Sequence, residues 1–382
     1  MIIDKFLELY TNKKTQSFMI SLSSVIVSLF FGCIIFWILG KNPFTAYGAF
    51  LRGSGILPKF KYGSYQGQLT DILRLLDAIT PMIFAALAVA VAYVGGMFNI
   101  AVSGIMLLSG FIATITIGYI PDLNPFIAKP LVVLVGVLMG VLYGTAIGYL
   151  KYKFNINEVV TAIMFNYITM YIVGFFIQSY YIDTVSRQSK NITDNSRLTL
   201  QGVEAFGLKF VMPLGIVLAL IFVFVIWFIM NRTKLGFEIK ALGSNKNAAK
   251  YSGININKMT LLIMAISGGI AGIAGVTYYL GYYDSMAFNQ LNTLGFSAIS
   301  VSLLGNNNPV GIIFSSLLIT IIDTGSTYMS SYIKVEREIA GVLTSIILIF
   351  TACATFFKYK INRIVEEREL EKPKAEGVNL DE

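Results

Sequence analysis

Two long stretches of this chain contain no acidic or basic residue: one runs from Ile79 to Ile120 and the other from Ser285 to Ile322. A helix needs roughly 20 apolar residues to cross a bilayer, so each stretch can hold more than one crossing. The chain is 55% hydrophobic and only 13% charged, whereas soluble globular proteins carry about 25% charged residues. So few charges cannot cover the surface of a soluble protein of 382 residues. The sequence therefore predicts an integral membrane protein.

The apolar segments predict an all-α fold, a polytopic membrane helical bundle of about ten spans. The predicted segments are 17–39, 79–96, 100–120, 131–150, 158–181, 211–230, 258–281, 293–304, 309–328 and 337–357. The eighth is too short to cross, and we interpret it as a half helix whose ends are buried in protein. The first is too long for a signal-peptide core and lacks a cleavage pattern, so we expect it to remain as an anchor. Five spans on each side of the loop 182–210 would form two inverted halves.

The positions of the basic residues predict the orientation of these spans. The predicted cytoplasmic pieces are 1–16, 151–157, 231–258 and 358–382. Together they hold 17 of the 29 basic residues, as the positive-inside rule requires. We therefore expect a transmembrane domain at 17–357 with an extracellular insert at 41–78, and both termini on the cytoplasmic side. Because topology accounts for the net charge of +8, we expect a membrane but no nucleic acid among the partners.

Several classes of function are disfavoured by residue types that the sequence lacks. The chain has no histidine and two cysteines, Cys33 and Cys353, so we expect neither a metal centre nor a disulfide framework. No G-x-x-x-x-G-K-[ST] motif is present, which argues against ATP binding through a P-loop. We find no catalytic constellation and no carboxylate pair within a predicted span. The sequence thus predicts a protein that is not an enzyme and holds no cofactor.

Polar residues inside the apolar segments mark candidate sites. After the paired glycines Gly95 and Gly96, which permit a helix break, Asn99 and Ser103 can supply hydrogen bonds; close packing of small residues is the alternative interpretation. Asn157 and Glu158 suit the first turn of the fifth span. The candidate substrate-path residues are Phe98, Asn99, Ser103, Asn166, Tyr167 and Asp323. Asp323 is a functional candidate as an acid in an apolar run, unless it reaches water at the outer end of its span.

The cytoplasmic loop 231–258 predicts a small protruding helix. Gly243 and Gly253 bracket it, with Ser244 as a plausible N-cap and Gly253 as the C-terminal stop. Such a short basic helix suits docking into a groove of a partner protein, although contact with anionic lipid headgroups is an alternative. The candidate coupling residues are Gly243, Ser244, Asn245, Ala248, Ala249, Tyr251 and Gly253.

Four segments of this sequence resemble the integral permease subunits of ABC importers for branched-chain amino acids, simple sugars and nucleosides. They are Gly96 to Ile100; Asn157 to Val159 with Asn166 and Tyr167; Gly236 to Ile254 running into Ser267 to Gly272; and Gly295 with Phe296 through Gly305 to Pro309. The insert that begins at Lys41 looks most like the purine-nucleoside branch. Two departures, Ser103 with Ile105 and Ser297, stand where relatives often have polar or acidic groups, so the substrate preference can differ.

The resemblance implies one subunit of an importer in a bacterial cell membrane, moving nucleosides inward by alternating access. Its expected partners are a cytoplasmic ABC ATPase that hydrolyses ATP, a second permease chain, and an extracellular or periplasmic substrate-binding protein. The helix at 244–252 would be the coupling helix. A simple sugar or a branched-chain amino acid is the alternative substrate. The alternative classes are an ion-coupled secondary transporter and a membrane scaffold subunit.

Overall fold

The structure is a computed structural model that describes residues 16–63, 66–205, 208–336 and 338–353 together with residues 360 and 363. The predictions made for residues 1–15 and for most of the tail at 358–382 lie outside the described residues. The chain divides into two compact units, one formed by 1–46 with 338–382 and the other by 47–337.

The structure is mainly helical, as predicted. In chain order the helices and strands are α1 (Gln16–Ile38), α2 (Pro43–Gly53), α3 (Gln68–Val94), α4 (Val102–Ala113), α5 (Pro125–Phe154), α6 (Glu158–Phe176), β1 (Thr199–Ala205), β2 (Leu208–Pro213), α7 (Gly215–Arg232), α8 (Lys234–Ser244), α9 (Lys246–Tyr251), α10 (Ile256–Thr277), α11 (Leu294–Leu304), α12 (Pro309–Ile333) and α13 (Ile339–Ala352). One turn of π-helix extends α4, α6 and α10, at Thr114–Gly118, Ile177–Tyr181 and Tyr278–Tyr282. A 3₁₀ turn occupies Asp194–Ser196.

Ten apolar helical segments lie within the described ranges. Seven are long and apolar enough to cross a membrane, and three shorter ones lie at Val102–Gly118, Leu294–Leu304 and Gly341–Phe350. Each falls on one of the ten predicted segments, and the short eighth segment is the 11-residue helix α11. The prediction of a polytopic helical bundle is therefore confirmed.

The smaller unit is a pair of helices. Helix α1 packs against α13, where Ser24 Oγ donates a hydrogen bond to the Phe350 carbonyl oxygen at 3.3 Å. The rings of Phe31 and Phe350 also meet there, 5.4 Å apart. Cys33 and Cys353, both in this unit, are free thiols.

The larger unit is built around α3 and α10, which pack against each other. Each of them also contacts an equivalent pair of outer helices. Helix α3 contacts α11 and α12, α10 contacts α4 and α5, and each of these outer pairs is itself in contact. The outer helices α5 and α12 also begin alike, at Asn124-Pro125 and at Asn308-Pro309, with the asparagine side chain accepting from the backbone N–H two residues on. Two related halves would produce this pattern; their opposite orientation stays a prediction.

Helices α5 and α10 approach so closely that their backbones touch. Glycine recurs on α5 at Gly136, Gly140, Gly144 and Gly148, and a Cβ on Gly140 or Gly144 would overlap the backbone of α10. A Cβ on Gly140, for example, would lie 2.9 Å from the carbonyl carbon of Gly268 and nearer still to its oxygen. Small residues that allow such approach are typical of membrane helix pairs. The glycines that follow Ser267 therefore serve helix packing.

Several span boundaries were wrong. The fourth span begins at Pro125 rather than at 131, and the ninth ends at Ile333 rather than at 328. The second span begins at Gln68 rather than at 79, and the insert at 41–78 is thus partly helical, since it also contains α2. The first turns of α3 carry charged residues on one face. A search for continuous apolar runs therefore does not include these turns in the span. The sixth span begins at Gly215 rather than at 211, because Leu208–Pro213 is a strand that pairs antiparallel with β1.

Candidate functional site

A cavity of about 1040 Å³ lies within the larger unit. One wall is the first half of α3, from Thr70 to Met82, and another is the second half of α12, from Thr320 to Ser331. The lining positions on each helix recur at three- to four-residue intervals, as one face of a helix requires. The π-helical turn Tyr278–Tyr282 also lines the cavity, as do Arg197 before β1, Lys209 and Val211 of β2, and residues near Ser54 and Leu294.

The charges that line the cavity are balanced. Four are basic and four are acidic: Lys59, Arg74, Arg197, Lys209, Asp71, Asp77, Asp284 and Asp323. Lys59 Nζ lies 2.8 Å from Asp71 Oδ1, and Arg197 lies 3.5 Å from Asp284. With no net charge, the cavity suits a neutral polar solute better than a phosphorylated or otherwise ionic one.

Tyrosines supply the aromatic part of the lining. The π-helical turn brings Tyr278 and Tyr282 to the cavity beside Tyr283, and Tyr328 faces it from α12. The ring centroid of Tyr283 is 4.9 Å from that of Tyr278 and 4.8 Å from that of Tyr282. A single π-helical turn shifts the register of a helix and is frequent at functional sites. The cavity therefore combines ring faces with hydrogen-bonding groups.

Three of the predicted path residues, Asn99, Ser103 and Asn166, are brought together at the helix break, and none of them lines this cavity. Helix α3 ends at Val94, and Gly96 has a φ of +72°, so the predicted break is confirmed. Asn99 is buried; it donates to Ser267 Oγ at 2.8 Å and accepts from the Ala101 N–H at 3.0 Å. These bonds tie the end of α3 to α10.

Asn166 and Ser103 are equally buried and equally engaged. Asn166 Oδ1 accepts from the Gly104 N–H at 2.9 Å, and its Nδ2 donates to the Ile100 carbonyl at 3.1 Å. Ser103 Oγ donates to the Asn292 carbonyl at 2.9 Å. The amide of Asn166 thus satisfies the backbone that the break exposes. In this chain these side chains hold the break together, and their contact with substrate stays a prediction.

The other three predicted path residues lie in different surroundings. Phe98 is half-buried beside the break, and Tyr167 is 52% exposed on α6. Asp323, by contrast, is half-buried and lines the cavity. Asn157 caps α6 by accepting from the Val159 N–H at 2.9 Å, and Glu158 pairs with Lys151, as a structural role in the first turn predicts.

The loop 231–258, predicted to be cytoplasmic, forms two short helices, and its predicted cap was wrong. Ser244 is the last residue of α8, and Gly243 lies inside that helix instead of before α9. The N-cap of α9 is Asn245, whose Oδ1 accepts from the N–H groups of Asn247 and Ala248 at 2.9 and 3.1 Å. Asn245 is the cap because α9 begins at Lys246, directly after it, whereas Ser244 still belongs to α8. Helix α9 has six residues, about 9 Å of rise.

Helix α9 presents one buried residue and an otherwise exposed surface. Ala249 is 2% exposed and anchors the helix, while Tyr251 is 93% exposed, and Ala248 is exposed as well. Gly253 ends the helix with a φ of +81°, and the Ile254 N–H then bonds the Ala249 carbonyl at 3.1 Å. The predicted stop at Gly253 is confirmed. An exposed tyrosine on a short capped helix suits insertion into a groove of a partner.

The two regions are joined by α3. At its far end, Gly243 of α8 packs on the chain at the break, with its Cα 3.0 Å from the place that a Cβ on Gly96 would take. At its near end, α3 contributes Asp71, Arg74 and Asp77 to the cavity. The helix has 27 residues and so spans about 40 Å.

The sequence reasoning missed Asp71, Arg74 and Asp77. Their three-residue spacing next to an apolar run was a usable signal, because it places all three on one face of a helix that begins before the run. It also corrects the statement that no span holds two carboxylates, since α3 holds Asp71 and Asp77. Among the described residues, no cluster of three or more cysteine or acidic side chains is placed to hold a metal ion.

Comparison with known proteins agrees with the resemblance of the four segments. The family described as "Branched-chain amino acid transport system / permease component" matches residues 71–352. The nucleoside ABC transporter permease protein NupB of Lactococcus lactis is 31% identical over 348 residues, 89% of this chain and 92% of the relative. The guanosine ABC transporter permease protein NupP of Bacillus subtilis is 30% identical over 353 residues, 92% and 98% of the two chains.

A sugar permease is similar at a lower level. The glucose ABC transporter permease protein TsgB13 of Haloferax volcanii is 24% identical over 353 residues, 90% of each chain. No solved structure matches this chain. The family match covers most of the chain, and two relatives reach 30% identity over nearly its full length. This multi-pass membrane protein belongs to the family of permease components of branched-chain amino acid transport systems.

Proposed function

We propose that this protein is the membrane-spanning permease subunit of an ATP-driven ABC importer that moves nucleosides, purine nucleosides in particular, into the cell. The observation that carries this proposal is the similarity, over about nine-tenths of the chain, to permeases named for nucleosides and for guanosine. The sugar permease that is similar over the same length has lower identity.

The cavity supports the same substrate class. Its volume of about 1040 Å³ is ample for a drug-sized ligand. A nucleoside is neutral, carries a flat aromatic ring and bears several hydroxyl groups. The tyrosines can stack on the ring, and the balanced charges and hydroxyl side chains can hydrogen-bond the ribose and base. A branched-chain amino acid would need an apolar pocket for its side chain, and a lining with eight charged residues serves that poorly.

Helix α9 is the proposed coupling helix. A cytoplasmic ATPase would bind its exposed face, and closure of the ATPase on ATP would move α8 and α9 together. Because α8 packs on the break at the end of α3, that movement would reach the helix that lines the cavity. Alternating access would follow from this displacement.

The proposed assembly needs further chains. A second permease, an ATPase pair and a substrate-binding protein outside the membrane complete the importer, and this chain itself carries no cofactor. We place it in a bacterial cell membrane with both termini in the cytoplasm, in accord with the basic residues in the predicted inner loops.

Uptake of labelled guanosine in vesicles that retain ATP, with ion gradients collapsed by ionophores, tests the proposal. We expect uptake to continue without the gradients and to stop when ATP is removed. Uptake that stops with the gradient would indicate an ion-coupled secondary transporter. No flux of any solute would favour the scaffold interpretation. Competition by unlabelled ribose or leucine at the same concentration as adenosine decides between the substrate classes, and we expect adenosine alone to compete.

A further inference from the structure

Asp77 is a carboxyl group at the cavity without a hydrogen-bond partner of its own. It is 7% exposed and lines the cavity from α3. Within the described part of the chain its oxygens accept no hydrogen bond, and Arg74 and Arg197 act on it through electrostatic attraction. The neighbouring acids differ: Asp71 is paired with Lys59, and Asp284 with Arg197. Asp77 therefore keeps its hydrogen-bonding capacity.

The backbone at the same point is also unsatisfied. Pro81 stands four residues after Asp77 within α3, and a proline has no N–H to donate to the carbonyl four residues earlier. The carbonyl oxygen of Asp77 thus lacks its intrahelical partner. Every residue of α3 from Ile83 to Ala92 is buried. A buried acceptor that receives no hydrogen bond costs free energy. An acidic side chain inside a membrane helix is by default a functional group.

We propose that Asp77 is the specificity-determining residue of the cavity, accepting hydrogen bonds from two adjacent donors of the substrate. The inference rests on the proposed nucleoside transport. A carboxylate has two oxygens side by side and accepts only, so it matches two donors that a ring holds next to each other. A nucleoside offers such a pair in two places: the 2′- and 3′-hydroxyls of ribose, and the N1–H with the 2-amino group of guanine.

The surroundings of Asp77 suit such a ligand. Tyr278 and Tyr282 line the same cavity, and their turn lies close by, since a Cβ on Gly281 would be 3.8 Å from Asp77 Oδ1. A ring stacked on a tyrosine at this place would present its edge or its ribose to the carboxylate. Arg74, one turn before Asp77 on α3, adds donors for a carbonyl oxygen or hydroxyl.

Uptake by the complete transporter, compared between the natural chain and Asp77→Asn, tests the inference. The four labelled substrates are guanosine, 2′-deoxyguanosine, adenosine and 2′-deoxyadenosine. The same binding protein delivers each nucleoside to both forms. For one nucleoside, the uptake rate of Asp77→Asn divided by that of the natural chain therefore reports the permease alone. Replacing one oxygen acceptor with an amide donor should lower that ratio about ten-fold for substrates that use the pair.

Two patterns support the inference and identify the donors. A loss for guanosine and adenosine, with both deoxynucleosides unaffected, assigns the ribose hydroxyls. A loss for guanosine and 2′-deoxyguanosine, with both adenine compounds unaffected, assigns the guanine edge. An equal loss for all four is what a structural role predicts and overturns the inference, as does no loss at all.

Asp122→Asn, an exposed acid of a loop outside the cavity, is the matched control and should leave all four rates unchanged. If Asp77→Asn does not reach the membrane or does not co-purify with the ATPase, Asp77→Glu is read by the same patterns, because it keeps the carboxylate and displaces it by one methylene. Failure of the proposed function is distinct: the natural chain then takes up none of the four nucleosides.

Discussion

Gly243 in α8 and Gly96, just after the end of α3, are in backbone contact. A Cβ on Gly243 would lie 2.8 Å from the Gly96 nitrogen and overlap the Val94 carbonyl oxygen. A Cβ on Gly96 would in turn lie 3.0 Å from the Gly243 Cα. No side chain stands between the two segments, so displacement of one must be met by displacement of the other.

Gly243→Ala should weaken this contact. The atoms that the new methyl group meets are backbone atoms, which cannot rotate away, and overpacking of this kind costs about 1–3 kcal/mol. We expect a lower midpoint of thermal unfolding for the purified complex and a lower rate of ATP-driven uptake, with the ATPase still bound. Gly48→Ala, where a Cβ meets nothing within 4 Å, is the control. If uptake and thermal midpoint both equal those of the natural chain, the proposed coupling between α8 and α3 is contradicted.

Asn245→Ala should loosen α9, because the N–H groups of Asn247 and Ala248 lose their acceptor. Loss of an N-cap costs about 1 kcal/mol, equivalent to roughly a five-fold change in an equilibrium constant. We expect several-fold weaker association with the ATPase, measured by titrating the purified subunits. Ser244→Ala should leave association unchanged, since Ser244 does not cap the helix. Unchanged association of the Asn245→Ala variant would contradict a role of this cap in docking.

Gly253→Val should disturb the end of the same helix through backbone conformation alone. Gly253 has a φ of +81°, and a Cβ there meets nothing within 4 Å, so no clash contributes. Valine at positive φ costs about 1–2 kcal/mol, whereas asparagine tolerates it. The valine variant should insert normally and co-purify with less ATPase, and Gly253→Asn should retain most of it. Undiminished co-purification of the valine variant would refute α9 as the docking helix.

Asn166→Ala distinguishes a substrate-path residue from one that holds the break. The Gly104 N–H and the Ile100 carbonyl would lose their partner in a buried place, at about 1–3 kcal/mol. We expect a lower thermal midpoint with unchanged relative uptake of different nucleosides. Tyr167→Ala, the exposed neighbour, should leave the midpoint unaltered. A changed substrate preference at normal stability would instead place Asn166 in the path.

The sequence predicts the apolar segments well because a bilayer demands a long run of apolar residues, and such runs are visible one residue at a time. It also predicts the break at Gly95 and Gly96, the cap at Asn157 and the stop at Gly253, since each depends on near neighbours in the chain. Helix α11 was predicted as a short piece from the length of its apolar segment.

Tertiary partners could not be predicted in the same way. Asn99 and Asn166 were expected to face a path, yet their partners are Ser267 and the backbone around Gly104, which only the packing brings near. The cavity was missed because its charged residues, Asp77 among them, precede the apolar part of α3 and resemble a loop. Asn245 and Ser244 were confused because neighbouring positions are both good caps, and only the register of α9 separates them.

The glycine contacts between α5 and α10 limit how this protein can change shape. Sliding of one helix past another normally proceeds by rotamer changes of the side chains between them, and here peptide groups meet peptide groups with no such layer. These two helices must therefore move together as one rigid body during a transport cycle. The hinges of the transport cycle should therefore lie where this helix pair contacts helices that pack less closely against it.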